Sequence, residues 1–156
     1  MLHPALDSLT RTFARDGSPR VLGKRPRASI PTYDAAVMEV GARRRNQPAP
    51  PRVLFEALTD PGRDPARPWL VLLDDERAPN IVETERPGLV VWTSLWARRP
   101  EALIRFELPS DRSGAGTDLR WVLLVDDQPL EASLLGHMLR RINELINANL
   151  RHTFGQ

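Results

Sequence analysis

The chain contains no cysteine among its 156 residues, and it has no apolar run near the roughly 18 residues that a membrane-spanning helix requires. Without cysteine the sequence excludes disulfide bonds, thiolate zinc sites and a cysteine nucleophile. The first residues show no secretory signal peptide either. We therefore expect no membrane span, and the lack of cysteine fits a cytoplasmic protein in a reducing compartment.

The positive charge of the chain is concentrated in its first 34 residues. Six of the 22 Lys and Arg residues lie there beside three acidic residues, which gives this segment a net charge of +3. Residues 35–156 contain 16 basic and 17 acidic residues, a net charge of −1. Because nucleic-acid-binding domains normally concentrate basic residues on one face, this nearly neutral body argues against nucleic acid as a partner.

The same two segments differ in hydrophobic pattern. Leu6, Leu9 and Phe13 recur at helical spacing, but residues 17–34 are rich in Gly, Ser, Pro and Arg and show little periodicity. We predict an N-terminal arm over residues 1–34, either partly helical or disordered, followed by one globular domain over residues 35–156.

Short apolar segments separated by turn residues dominate the first part of this domain. Residues 117–125, for example, alternate between apolar and polar side chains, which is typical of a half-buried strand. Pro50 and Pro51 suit the first turn of a helix, which should end before Pro61. The segments predicted as strands are 35–45, 69–73, 79–86, 89–96, 102–108 and 117–125.

Residues 129–152 carry the clearest helical pattern in the chain. Pro129 suits the first turn, and Glu131 interacts favourably with the positive end of the helix dipole. A long helix after a run of strands predicts an α+β fold, in which a curved antiparallel sheet wraps around the C-terminal helix. The apolar stripe of this helix consists of Leu135, Met138, Ile142, Leu145 and Ile146.

Three segments of the domain carry motifs that resemble the START and birch-allergen-like superfamily (SRPBCC). Residues 49–61 (APPRVLFEALTDP), followed by Trp69, are similar to its helical opening. Residues 80–92 (NIVETERPGLVVW) are similar to its central hairpin, and residues 116–121 (GTDLRW) to the start of a later strand. The resemblance covers residues 35–156, and the arm has no counterpart.

The resemblance implies a helix-grip fold with a cavity between the sheet and the C-terminal helix. Members of the superfamily bind lipids, sterols, quinones or polyketides in this cavity. Some are aromatase/cyclases, and some resemble activators of a heat-shock chaperone ATPase. The superfamily has no universal catalytic residue, so the resemblance assigns none to this chain.

Asn149 and Trp121 are the most informative candidates for contacts with a ligand. Asn149 lies in the middle of the apolar stripe, where an unpaired amide would cost about 1–3 kcal/mol. It therefore contacts a ligand in the cavity, bonds to a nearby backbone group, or lies in a frayed helix end. Trp121 either lines the cavity or packs in the core. The predicted ligand-binding residues are Trp121, Asn149, Met138, Ile142, Phe106 and Thr93.

Trp92 and Trp96 share one face of a predicted strand. If Pro87 and Gly88 form a two-residue turn, both tryptophans lie on the outer face of the sheet, where they would form a contact surface for the arm or a second subunit. A longer loop would reverse this assignment. The oligomeric state is left open.

The sequence offers no catalytic, cofactor or metal-binding signature. His3, His137 and His152 have no acidic neighbour at ligand spacing, and the glycines at 114 and 116 do not form a dinucleotide fingerprint. Few polar side chains are expected to point into the cavity, so we favour a non-catalytic binder of an apolar small molecule. An aromatase/cyclase-like enzyme and a protein-interaction module, such as a chaperone-ATPase activator-like domain, are the alternatives.

Overall fold

The computed structural model of the protein describes residues 37–126 and 128–154. The predictions for the N-terminal arm, residues 1–34, lie outside these residues. The described elements are β1 (Met38–Gln47), α1 (Pro51–Thr59), β2 (Ile81–Glu85), β3 (Leu89–Thr93), β4 (Leu103–Glu107), β5 (Thr117–Val125) and a C-terminal helix (Ala132–Phe154).

The five strands form one antiparallel sheet in the order β1-β5-β4-β3-β2. Strands β2 to β5 follow one another in space as they do in sequence; a three-residue turn connects β2 to β3, and loops of residues 94–102 and 108–116 make the next two connections. The first strand, β1, pairs with β5 along its whole length, from Met38 opposite Val125 to Gln47 opposite Thr117. A bulge between Glu39 and Gly41 shifts the register of β1, so the side chains alternate differently before and after it.

The C-terminal helix packs against the inner face of the sheet. It consists of an α-helical part, α2 (Ala132–Glu144), a π-helical segment (Leu145–Leu150) and a last α-helical turn, α3 (Arg151–Phe154). A Cβ atom on Gly41 would overlap the Leu139 side chain, so glycine permits the close approach of β1 and α2. The predicted α+β architecture of a sheet and a long C-terminal helix is confirmed.

Trp92 and Trp96 are buried, each with 1% of its surface exposed. The outer contact surface expected for a two-residue turn is therefore wrong, and the longer-loop alternative applies. The connection between β2 and β3 has three residues rather than two, since Glu85 pairs with Leu89. This one-residue difference turns Trp92 to the inner face, where its indole Nε1 donates a hydrogen bond to the Leu58 carbonyl at 2.8 Å.

Residues 60–80 form a long irregular connection between α1 and β2. The strand predicted over 69–73 is wrong, because this segment pairs with no strand of the sheet among the described residues. Trp69 is nevertheless buried, and its ring stacks on Trp92 with the ring centroids 6.1 Å apart. The apolar run at 69–73 therefore reflects the packing of a loop, with Val71 and Leu73 exposed on its outer side.

Within the described residues, no helix is both long enough and apolar enough to cross a membrane. Most of the buried apolar side chains belong to one core between α1, the inner face of the sheet and the C-terminal helix. Val91, Val122 and Leu124 are buried outside this core.

Candidate functional site

Four of the predicted ligand-binding residues lie together in the core between the sheet and the C-terminal helix. Phe106 on β4 pairs with Trp121 on β5, and Met138 and Ile142 lie on the α2 face that packs against the core. Each of the four has at most 1% of its surface exposed. In this conformation, therefore, their side chains fill the interior rather than line an open cavity.

Asn149, in the π-helical segment, is half-buried. Its side-chain Nδ2 donates a hydrogen bond to the Trp69 carbonyl at 3.1 Å. This bond corresponds to the backbone alternative considered for Asn149, and it fastens the loop that contains Trp69 to the C-terminal helix.

Thr93 is not grouped with the other predicted site residues. It follows the inward-facing Trp92 on β3, so its side chain lies on the opposite face of the sheet. Its hydroxyl accepts a hydrogen bond from the Asn80 N–H at 2.8 Å. Thr93 therefore supports the start of β2, and its predicted place in the cavity is corrected.

The structure adds two residues that the sequence analysis missed, Gln47 and Asn143. Both side chains have a buried carbonyl oxygen, Gln47 Oε1 and Asn143 Oδ1, without a hydrogen-bond partner among the described residues. The Trp121 indole Nε1 is also buried and unpartnered within the same part of the chain. The indole Nε1 atoms of Trp69 and Trp96 are buried and unpartnered in the same way. We use the name interior polar cluster for the groups of Gln47, Asn143 and Trp121, because they lie on β1, α2 and β5, the sheet strands and the helix that border the core.

The position of Gln47 follows from the length of β1 and from the π-helical segment. The strand extends two residues beyond the predicted end at 45, which turns Gln47 towards the C-terminal helix. Its Nε2 donates a long hydrogen bond of 3.4 Å to the Ile146 carbonyl. A π-helix changes the hydrogen-bonding pattern of the helix backbone and is frequent at functional sites.

A second group of polar residues, which we call the clasp, joins the loop at 71–76 to α2. The Arg141 guanidinium donates two hydrogen bonds to the Glu76 carboxylate, at 2.6 and 2.8 Å. The Arg141 side chain is 7% exposed and the Glu76 side chain 0% exposed. Arg141 also donates to the Val71 carbonyl at 2.9 Å and to Glu144 at 3.0 Å. Every charged group of the clasp therefore has a partner.

The pKa of Glu76 reflects two opposing effects. Burial raises it, while hydrogen bonds from Arg141 and the Leu73 N–H, together with the positive charge of Arg141, lower it. The lowering effects dominate, so the pKa of Glu76 lies below its ordinary value. Glu76 consequently remains ionised at neutral pH and holds the loop in place.

The fold also brings His137 beside the clasp, which sequence spacing did not predict. His137 Nε2 lies 3.0 Å from Asp75 Oδ2, and possible ligand atoms of Asp75, Glu76 and His137 lie within 4.8 Å of one another. Both Glu76 oxygens, however, already bind the Arg141 guanidinium. Because a fixed cation already neutralises Glu76, these contacts are better explained as attachment of the loop than as a metal site.

A surface cavity of about 270 Å³ lies beside the end of the C-terminal helix. We call it the terminal cavity. It is bordered by α1, the loop at 60–68 and α3, and its apolar lining residues are Val53, Ala57, Pro61, Trp69 and Phe154. Another cavity, of about 260 Å³, lies between the loop at 74–77 and the turn after β3. None of the predicted site residues lines either of them.

No protein-family model and no curated protein matches the chain. Among solved structures, it is similar to the solution structure of the Aha1 dimer from Colwellia psychrerythraea, with a TM-score of 0.56 and 14% identity over 73% of this chain and 94% of that chain. It is also similar to CalU16 from Micromonospora echinospora, at 17% identity and a TM-score of 0.48 over 73% of this chain and 83% of that chain.

A further similar structure is Ara h 8.0201, at 14% identity and a TM-score of 0.49 over 77% of this chain and 99% of that chain. The superposition on the Aha1 structure, with its TM-score of 0.56, confirms the helix-grip fold that the sequence motifs predicted. At these identities the similarity concerns the fold.

Proposed function

We propose that the chain binds an apolar small molecule of the lipid, quinone or polyketide class between the sheet and the C-terminal helix, without catalysing a reaction. The observation that supports this proposal is the interior polar cluster. A buried polar atom without a partner costs about 1–3 kcal/mol, and folded proteins rarely retain several of them. A ligand with hydroxyl and carbonyl groups supplies the missing partners for Gln47, Asn143 and Trp121.

The packing of the core defines what binding requires. Phe106, Trp121, Met138 and Ile142 fill the space in the present conformation, so a ligand must displace them by moving the C-terminal helix away from the sheet. Met138 is suited to such repacking, because an unbranched side chain adopts many conformations. The π-helical segment Leu145–Leu150 is consistent with this proposal, since π-helical turns within α-helices are frequent at functional sites.

The chemistry of the cluster favours binding over catalysis. General acid–base catalysis needs a group that titrates near the working pH. The three groups of the interior polar cluster are two amides and one indole, none of which titrates in that range. These groups recognise and orient a ligand by hydrogen bonding.

The proposal is tested by native mass spectrometry of the purified chain, followed by denaturation and solvent extraction. We expect a discrete apolar molecule that is released on denaturation. The Gln47→Leu and Trp121→Phe variants should retain it at least about tenfold less, a loss of about 1.4 kcal/mol.

Trp92→Phe is the matched control, because the Trp92 indole is bonded to the Leu58 carbonyl inside the protein. It removes an aromatic N–H of the same kind whose hydrogen bond is already satisfied inside the protein. A protein that carries no ligand and shows no thermal shift with a panel of lipids, quinones and aromatic polyketides would contradict the proposal.

A protein-interaction module is the second candidate, and the filled core favours it. If Phe106, Trp121, Met138 and Ile142 stay packed in solution, the domain offers its surface rather than its interior. Hydrogen exchange separates the two functions. Amides of β5 and α2 that are equally protected with and without the ligand panel would favour the interaction module.

A further inference from the structure

The first strand of the sheet, β1, has one free edge. It pairs with β5 along its length and with no other strand among the described residues. We infer that this edge binds an extended acidic segment of a partner protein, which adds to the sheet as a further antiparallel strand with carboxylates at alternate positions. The inference concerns the surface of the domain, so it does not depend on ligand binding in the interior.

The pairing of β5 shows which backbone groups of β1 face outwards. The Asp118 N–H donates a hydrogen bond at 2.9 Å to the Pro109 carbonyl, just after the end of β4. Since backbone groups alternate in direction along an antiparallel pair, the even-numbered residues of β5 direct theirs away from β1. Ala42 lies opposite one of them, Val122, and Arg44 follows two residues later. The N–H and C=O groups of Ala42 and Arg44 therefore point towards the position of a further strand.

Two side-chain contacts agree with this orientation. The Arg45 guanidinium donates to the Arg44 carbonyl at 3.2 Å, and Arg151 of the C-terminal helix donates to the Asn46 carbonyl at 3.4 Å. Both carbonyls belong to even-numbered residues of β1, and side chains reach them from the free edge. Because both distances lie at or beyond the long end of the usual range, the backbone N–H groups of an added strand can replace these contacts.

The side chains on and beside this edge have an excess of positive charge. Arg43, Arg44 and Arg45 are consecutive and exposed. Arg44 lies 3.4 Å from Asp118, whereas Arg43 and Arg45 have no ion pair with an acid among the described residues. The charged residues of β1 and those whose side chains contact it have a net charge of +2. The arginines of this set are Arg43, Arg44, Arg45, Arg120 and Arg151, and its acids are Glu39, Asp111 and Asp118.

The two unpaired arginines determine the pattern that a partner strand must carry. Arg43 and Arg45 lie on the same face of β1, opposite Trp121 and Leu119 of β5. A strand added at the free edge presents every second side chain to that face. Opposite charges directly across a strand pair are favourable, so carboxylates at alternate positions of the partner meet both arginines.

The same arginines disfavour pairing with a second copy of this chain. Two β1 edges joined around a two-fold axis would bring the two arginine runs together, and like charges directly opposite each other are destabilising. Charged side chains commonly protect an edge strand against neutral strands as well. An acidic strand is the partner for which this protection becomes attraction.

Chemical-shift mapping of the full ¹⁵N-labelled chain with short capped peptides tests the inference. The acidic peptide alternates glutamate with valine and threonine, and its neutral counterpart has glutamine in place of glutamate. We expect the acidic peptide to bind at least about tenfold more tightly, with the shifts at residues 41–46. Methyl groups on the amide nitrogens between the glutamates, which would face Ala42 and Arg44, should abolish binding, whereas methyl groups on the glutamate amides should not.

Three results would overturn the inference. Equal binding of the two methylated peptides, or of an oligothymidylate, would show attraction by charge without strand pairing. Shifts located away from β1 would assign the peptide to another surface. A dimer that forms with increasing protein concentration and produces the same shifts at β1 would assign the edge to a second copy.

Variants of exposed arginines make the result specific to this edge. The combined Arg43→Gln and Arg45→Gln variant should remove most of the preference for the acidic over the neutral peptide. Arg98→Gln is the matched control, because Arg98 is 71% exposed in the connection between β3 and β4, and it should leave the preference unchanged. An unchanged preference in the combined variant would contradict the role of the two arginines.

Discussion

The C-terminal helix buries polar groups at two places, and they differ in how completely those groups are paired. In the clasp, the Arg141 guanidinium meets Glu76, Glu144 and the Val71 carbonyl. In the interior polar cluster, by contrast, Gln47 Oε1, Asn143 Oδ1 and Trp121 Nε1 have no partner among the described residues.

The difference separates polar groups whose pairing within the protein accounts for their burial from polar groups whose burial is not accounted for in this way. A buried charge is tolerated only when it is paired, so the complete pairing of the clasp is sufficient reason for its presence. Burying an unpaired neutral group lowers the free energy of unfolding less than burying an unpaired charge does, but such groups are rare in folded proteins and still require an explanation. The two places therefore predict opposite responses when a polar side chain is replaced by an apolar one.

The largest effect is expected from breaking the clasp. Arg141→Met leaves the buried Glu76 carboxylate without its cation, and should lower the free energy of unfolding by about 3 kcal/mol. Urea unfolding monitored by tryptophan fluorescence measures this change. Glu144→Ala is the control, because Glu144 is 59% exposed and its loss should cost less than about 1 kcal/mol. Equal effects in the two variants would contradict the assigned role of Glu76.

The clasp should also give the protein a distinct acid sensitivity. Because folding lowers the pKa of Glu76 from its ordinary value of 4.5, its stabilisation is fully present above that value. It is lost as the pH falls through the lower pKa of the folded state. Urea unfolding between pH 7 and pH 3 should show a steeper loss of stability in the native chain than in Glu76→Gln. Parallel curves would indicate that Glu76 is not preferentially ionised in the folded state.

A smaller loss is expected where the helix and the sheet are packed most closely. Gly41→Ala places a Cβ atom against the Leu139 side chain, and overpacking of this kind costs about 1–3 kcal/mol. Thermal unfolding of Gly41→Ala, Leu139→Ala and the double variant measures the coupling. The double variant should be more stable than the sum of the two single losses predicts, and strict additivity would argue against direct contact.

The smallest effect, with the opposite sign, is expected in the interior polar cluster. Gln47→Leu removes an unpaired buried carbonyl and only one long hydrogen bond, so the ligand-free protein should become up to about 1 kcal/mol more stable. The same variant should retain less ligand. A destabilisation as large as that of Arg141→Met would show that Gln47 has a structural partner, and would remove the distinction between the two places.

The elements of the fold were largely predictable because their signals are local. Pro51 at the start of α1, the alternation in β5 and the apolar stripe around Met138 each depend on a few neighbouring residues. The sequence also placed four side chains in one interior region, because the inward-facing positions of neighbouring strands and of the helix that covers them point into the same core. These residues are Phe106, Trp121, Met138 and Ile142.

The remaining features depend on contacts between distant residues. The loop of three residues before Leu89 reversed the orientation of Trp92, and a single-residue difference of this kind has no clear mark in the sequence. His137 and Asp75 approach each other only because the long loop folds back onto α2. Gln47 was missed for a simpler reason, namely that β1 is longer at its end than its alternation indicated.

The π-helical segment sets the angular phase of everything that follows it. Each residue of a regular α-helix advances the chain by about 100°, so one additional residue would rotate the last turn by about that angle if the helix did not widen. A π-helix bonds residues i and i+5 instead of i and i+4, so the segment Leu145–Leu150 absorbs one residue in a wider turn. Deleting the exposed Asn147 should therefore convert the segment towards a regular α-helix and leave Phe154 facing the terminal cavity.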